Sequence, residues 1–335
     1  MIHTFTLKYQ INANEYWKFK NSAHTKSYRT SQYKLENRLL EELGIVLYAC
    51  KYKVHNKPDH FCYEMFVNPT KVLGRKDVVE IYKADMFEQF QEQFNHIIQE
   101  FEVTLPKLNE WTAKRIDFTK DIKTEHVKLY VKLFQKANLK GYWFPKDKNN
   151  NVVRFRPGSL YCRIGNHGIN FYDKQDEMIN QMREGKRFYT SDELKQAENV
   201  LRIEVQCSKS KLLSFKGKYE LKDRNILPFL QREDIANETI KYYVKKILGT
   251  APYYKKPGAE LKIRRSGYTK GMKDRMIAFM NEVSIQYSSI DKVAAEYKNV
   301  SSLLKRFEDI SVSPITINKN TTTVSEKLDS LYDLI

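Results

Sequence analysis

A chain of 335 residues, 41% hydrophobic and 13% aromatic, has room for roughly two domains at about 150 residues each. It can bury enough apolar surface to fold, which excludes a disordered or low-complexity protein. The 58 Lys and Arg against 41 Asp and Glu leave a net charge of +17, a surplus that points to a polyanionic partner, nucleic acid first.

Membrane and nucleotide chemistry find no support. There is no apolar run long enough to span a bilayer, and Met1 to Gln10 (MIHTFTLKYQ) has no secretory pattern, so a cytoplasmic protein is expected. Cys50, Cys62, Cys162 and Cys207 are scattered without a CxxC pair and read as reduced core residues. The histidines form no metal-binding pattern, and GxxxxGK[ST] is absent, so nucleotide hydrolysis is not expected.

In chain order, strands are predicted at Phe5 to Ile11, Ile45 to Val54 and Phe61 to Val67, then at Arg115 to Ile122, Leu160 to Ile164, Ile169 to Tyr172 and Val200 to Cys207. Helices fall between them. Ala84 to Phe101 sets Met86, Phe90, Phe94, Ile97, Ile98 and Phe101 at helical spacing, and Thr124 to Ala137 does the same with Val127, Tyr130, Val131 and Phe134. This mixture predicts an α+β fold with a mainly antiparallel sheet and helices on one face. After about residue 220 the strand signals fade, and helices are expected at Asp234 to Leu248, Thr269 to Gln286, Ser289 to Tyr297 and Ser301 to Asp309, the last three resembling a helix-turn-helix unit. The expected organisation is an α+β domain over 1–218, a helical DNA-binding domain over 219–312 and a polar, loose tail over 313–335.

Two strands share a pattern. In Arg115-Ile-Asp117-Phe-Thr119 and Arg202-Ile-Glu204-Val-Gln206, alternation puts Arg and a carboxylate on one face and apolar residues on the other. One reading is an ion pair within each strand. The other is an all-oxygen site for Mg²⁺ or Mn²⁺ built from Asp117 and Glu204, should the strands be neighbours. A third element runs from Tyr161 to Glu177, with a hairpin turn at Gly165 to Gly168, Tyr172 ending a strand and Asp173 capping a helix. A tyrosine with an ordinary pKa near about 10 needs help to act as a nucleophile. Lys174 and a divalent ion would supply that help.

For DNA contacts, the loop Lys140 to Arg156 offers Trp143 and its neighbours Tyr142 and Phe144 for stacking, with Arg154 and Arg156 for phosphates. Between Lys241 and Arg275 there are eleven Lys or Arg and two acids, which makes Lys255, Lys256, Arg264, Arg265 and Lys270 candidate phosphate contacts. Arg115 and Arg202 join them as candidate DNA-binding residues.

The series NPTKVL (Asn68 to Leu73), RID (Arg115 to Asp117), YDKxxE (Tyr172 to Glu177), RIEVQ (Arg202 to Gln206) and KLLSF (Lys211 to Phe215) resembles the gene II and gene X replication proteins of filamentous phages and related plasmids. It is also similar to the Rep-trans initiators of rolling-circle plasmids. The resemblance implies a rolling-circle initiator that nicks one strand at an origin and later religates it. It makes Tyr172 the nucleophile that joins the 5′ phosphate, Lys174 its assistant, and Asp117 and Glu204 metal ligands, with Glu177 and Glu64 as further ligand candidates. The implied partners are origin DNA, single-stranded or supercoiled, and a host helicase and DNA polymerase. Paired histidines of the HUH endonucleases are missing. Other readings are a hydrolytic metal-dependent nuclease, in which Tyr172 is structural, a conjugative relaxase, and a DNA-binding regulator without catalysis.

Overall fold

The computed structural model describes residues 1–22, 24–53, 58–75, 77–101, 103–146, 152 and 158–335. Its centre is a nine-strand antiparallel sheet in an α+β fold. The strands are β1 (Ile2–Ile11), β2 (Thr25–Arg29), β3 (Gln32–Leu35), β4 (Ile45–Tyr52), β5 (His60–Val67), β6 (Thr112–Lys123), β7 (Ser159–Ile164), β8 (His167–Asp173) and β9 (Val200–Ser208). Their spatial order is β2-β3-β4-β5-β1-β6-β9-β8-β7. All seven predicted strands are present. The β2–β3 hairpin is an addition: Thr25–Arg29 carries almost no apolar residue and is largely exposed, so it has no alternation to read, and Ser31 turns the chain at a φ of 62°.

The chain divides into two compact units, neither continuous in sequence: Met1–Thr119 with Val205–Asn237, and Lys120–Glu204 with Glu238–Ile335. The sequence reading expects consecutive segments instead. β6 and β9 each run through a division point, a long-range pairing that linear composition does not signal.

In the first unit, β1 lies between β5 and β6, with Phe5 opposite Val67 on one side and Ile116 on the other. The helix Phe87–Gln99 buries Phe87, Phe90, Phe94, Ile97 and Ile98, the spacing of a single apolar face. Phe90 meets Phe5 edge to face at 6.0 Å.

In the second unit, the helix Val127–Phe134 buries Val127, Tyr130, Val131 and Phe134, and Phe134 packs on Phe171 of β8 with ring centroids 4.6 Å apart. The helices Glu233–Leu248, Lys270–Ser284 and Val300–Asp309 match expectation, whereas Ser289 to Tyr297 forms a short helix Ile290–Val293 and one 3-10 turn. Lys256–Arg265 is a further helix. The expected loose tail is a correction: Ile315, Ile317, Val324, Leu328 and Leu331 are buried. A short strand β10 (Tyr253–Tyr254) pairs with β11 (Lys327–Leu328), and the Tyr130 hydroxyl donates to the Asp329 carbonyl at 3.0 Å. These apolar residues are spaced irregularly among polar ones, so no helical or strand period announces them.

Burial also sets an alkaline limit on the fold. Desolvation pushes the Tyr63 phenol up to about 12 from 10.0, and raises Tyr82, Tyr130 and Tyr253 as well. A folded-state pKa above the unfolded one gives stability that is complete below the unfolded value and lost as pH rises through the folded one. The chain should therefore unfold at lower urea at pH 12 than at pH 9, with part of its tyrosine ionisation delayed until it unfolds.

Candidate active site

Alternation along β8 separates two faces. Phe171 faces the helix Val127–Phe134, so Tyr172 faces the opposite side of the sheet. There its hydroxyl donates to Glu204 Oε1 of the neighbouring β9 at 2.8 Å. Tyr172 is buried, and desolvation first, then the Glu204 charge, hold its phenol well above the ordinary value. The phenol is neutral at physiological pH, and its proton is already directed at a carboxylate.

Asp173 caps the following helix, Lys174–Arg183, by accepting from the backbone amides of Gln175 at 3.1 Å and Asp176 at 3.2 Å. That cap fixes Lys174 in the first turn. Lys174 is buried, its Nζ lies 5.9 Å from the Tyr172 ring centroid, and it donates to Glu177 Oε2 at 3.1 Å. Burial, and next the nearby Arg202, lower its proton affinity, while Glu177 and Glu204 act against them. Gly158 makes the close approach possible: a Cβ there would sit 2.7 Å from Asp176 Oδ2, and its φ is +71°.

Arg202 is fully buried. Its Nε and Nη2 donate to Oδ1 and Oδ2 of Asp121 on β6, each at 2.7 Å. Arg202 thus has a cross-strand partner, Asp121, that the reading of an ion pair within the strand did not include. This also takes Arg202 off the surface as a DNA contact.

The structure therefore brings Tyr172, Lys174, Glu177 and Glu204 together in the second unit. Asp121, Gln181 and Tyr189 join them without having been read from the sequence. The Gln181 amide donates to Glu177, and the Tyr189 hydroxyl donates to Gln181 at 2.6 Å. Asp121 was legible in principle, since it sits four residues beyond Asp117 on the same face of β6. Gln181 had the weaker signal of one helical turn from Glu177.

Asp117 and Glu64 belong to the first unit. Asp117 does form the in-strand pair, accepting from Arg115 Nε and Nη2 at 2.7 Å each, and its Oδ2 also accepts from Thr4 at 2.6 Å. Glu64 is buried and accepts from Tyr52 at 2.6 Å and from Lys114 at both oxygens.

The candidate DNA contacts divide by exposure. Trp143 is 64% exposed, on a segment held to β7 by paired backbone hydrogen bonds with Arg163. Tyr142 is half-buried, and its hydroxyl lies 2.9 Å from His167 Nε2. Arg154 and Arg156 lie outside the described residues. Lys255 and Lys256 are half-buried at the start of the helix Lys256–Arg265, whereas Arg264, Arg265 and Lys270 are exposed. That helix buries Ala259 and Ile263, so its basic residues fall on the outward side. A cleft of about 1260 Å³ in the second unit is lined by Lys128, Lys132, Lys256 and Lys319 among others; it reaches Asp173 and Gln175 but not Tyr172. Among the described residues no helix is long and apolar enough to cross a membrane.

No family model, curated protein or solved structure matches the chain.

Proposed function

We propose that the protein is a DNA nicking and joining endonuclease of the rolling-circle initiator type, acting through Tyr172. The observation that carries the reading is the hydrogen bond from the Tyr172 phenol to Glu204 beside a buried Lys174.

The chemistry balances on these residues. Tyr172 Oη attacks the phosphorus as its proton passes to the Glu204 carboxylate. The bond from phosphorus to the 3′ oxygen breaks, and the leaving oxygen takes a proton from Lys174, whose lowered affinity makes it the better donor. One phosphodiester is exchanged for another. The products are a 5′-phosphotyrosine and a free 3′-hydroxyl that primes a host polymerase, with a host helicase separating the strands. The reverse sequence religates the strand, and no nucleotide is consumed.

A divalent ion, Mg²⁺ or Mn²⁺, fits as a supplement to this set. Such ions use one or two carboxylates and complete their shell with water and substrate phosphate, and Glu204 and Glu177 offer those carboxylates beside Tyr172. Asp117 belongs to the first unit, where Arg115 and Thr4 are its partners, and is not counted in this set. When bound, the ion would withdraw charge from the phosphate oxygens.

The basic stretch from Lys255 to Lys270 supplies phosphate contacts in this reading, and Trp143 a stacking surface. Replacing Arg264, Arg265 and Lys270 with Gln should weaken binding and reduce the slope of log affinity against log salt by about 0.7 to 0.9 for each contact removed. An unchanged slope in filter-binding assays would move the DNA surface elsewhere.

The deciding experiment incubates the full chain with supercoiled DNA carrying the replication region encoded beside it, with Mn²⁺ or with EDTA, and resolves the products after denaturation. A metal-dependent adduct surviving denaturation supports the reading. Cleavage without an adduct favours the hydrolytic nuclease, and binding with neither favours the regulator.

A further inference from the structure

We infer that Cys50, Cys62 and Glu64 of the first unit form a binding site for a thiophilic divalent cation, Zn²⁺ or a metal of similar preference. The inference is independent of the nicking chemistry at Tyr172.

The register creates the cluster. Cys50 of β4 stands directly opposite Cys62 of β5, and Glu64, two residues along β5, shares the face of Cys62. Their ligand atoms all lie within 4.8 Å of one another, and all three residues are buried. Around a tetrahedral zinc ion, with Zn–S near about 2.3 Å and Zn–O near about 2.1 Å, two donors lie about 3.6 to 3.8 Å apart. The set closes on an ion with a movement of about an ångström or less. Among the described residues, no other group of three His, Cys, Asp or Glu side chains comes together in this way.

Donor type then selects the metal. Two thiolates and one carboxylate suit Zn²⁺ far better than Mg²⁺ or Ca²⁺, which prefer oxygen. Charge balance permits a divalent ion here. Without metal, the buried cluster is neutral, with two thiols and the Glu64–Lys114 pair. Loading exchanges two thiol protons for M²⁺ and forms two S–M bonds, so the cluster with Lys114 stays neutral and the low-dielectric interior gains no net charge. Tyr52 and Lys114 orient Glu64 from outside the ligand set, the usual role of such outer partners. A carboxylate has lone pairs enough to bind Lys114 and a metal together. The fourth coordination position falls to water or another small ligand.

The sequence concealed this site because its thiols come from two strands and share no CxxC spacing; only pairing in the sheet makes them neighbours.

The test uses the reduced full chain, stripped of metal, refolded and equilibrated with Co²⁺ as the probe. The expected result is one Co²⁺ per chain with thiolate-to-cobalt charge-transfer absorption, release of two protons per ion, and displacement by Zn²⁺. Binding should weaken at least 100-fold in the Cys50→Ser, Cys62→Ser double variant and about tenfold in Glu64→Gln. Should the double variant fail to fold, the charge-transfer band and proton count of the unaltered chain still decide. The inference is overturned by no bound Co²⁺, by bound Co²⁺ without the charge-transfer band, by undiminished binding in a folded double variant, or by a Cys50–Cys62 disulfide that persists under reducing conditions.

Discussion

Replacing Tyr172 with Phe should abolish the covalent adduct and slow cleavage by about 10⁴-fold or more, the scale of losing a nucleophile, with DNA affinity unchanged. The substitution removes one oxygen from a buried site and leaves the ring packing intact. Its structural effect is the loss of the donor to Glu204, a stability cost of about 1 to 3 kcal/mol for a buried group deprived of its partner. Urea denaturation measures that cost separately from activity. Glu204→Gln forms the companion test: it keeps the shape but cannot take the phenol proton, so cleavage should fall by about 10² to 10⁴. Full activity in Tyr172→Phe would end the nucleophile assignment. Cleavage retained without an adduct would transfer the reaction to water, with Tyr172 as packing.

The second large effect concerns stability. Arg202→Met should destabilise the chain by about 3 to 5 kcal/mol, because it strands the Asp121 carboxylate against a guanidinium that is no longer there. Arg202 is fully buried and joined to Asp121 by two hydrogen bonds. The double replacement Arg202→Met with Asp121→Leu removes both charges and should recover most of the loss, since well-packed apolar residues often substitute for a buried pair without net cost. Equilibrium urea unfolding of the two variants gives the coupling directly. A single-variant loss below about 1 kcal/mol would show that water reaches the pair. The same variants bear on the site, because Arg202 lowers both the Tyr172 and the Lys174 proton affinities. In a folded double variant, the pH at which cleavage fails as Lys174 deprotonates should therefore move upward.

Much of the sheet was legible from the chain alone. The seven strands rich in β-branched and aromatic residues formed as read, and so did the two amphipathic helices, because alternation and helical spacing are local properties. The β2–β3 hairpin escaped because β2 is largely exposed and polar and β3 is only four residues long, too short for alternation to stand out. The contact of the Tyr142 hydroxyl with His167, 25 residues away, is one that no local pattern records. The tail read as loose because its apolar residues lack a period, although they dock in the core of the second unit.

At the site, the amino-acid order alone determined which groups carry charge and which face of each strand they occupy: Arg202 with Glu204, Arg115 with Asp117, Tyr172 one step from Lys174. Tertiary structure decided their partners. Asp121 of β6 paired with Arg202, Glu204 accepted from the Tyr172 phenol, and Cys50 met Cys62 across two strands. The physical reason is range: hydrophobic periodicity acts between near neighbours along the chain, whereas a buried charge or thiol takes its partner from whichever strand the sheet places beside it.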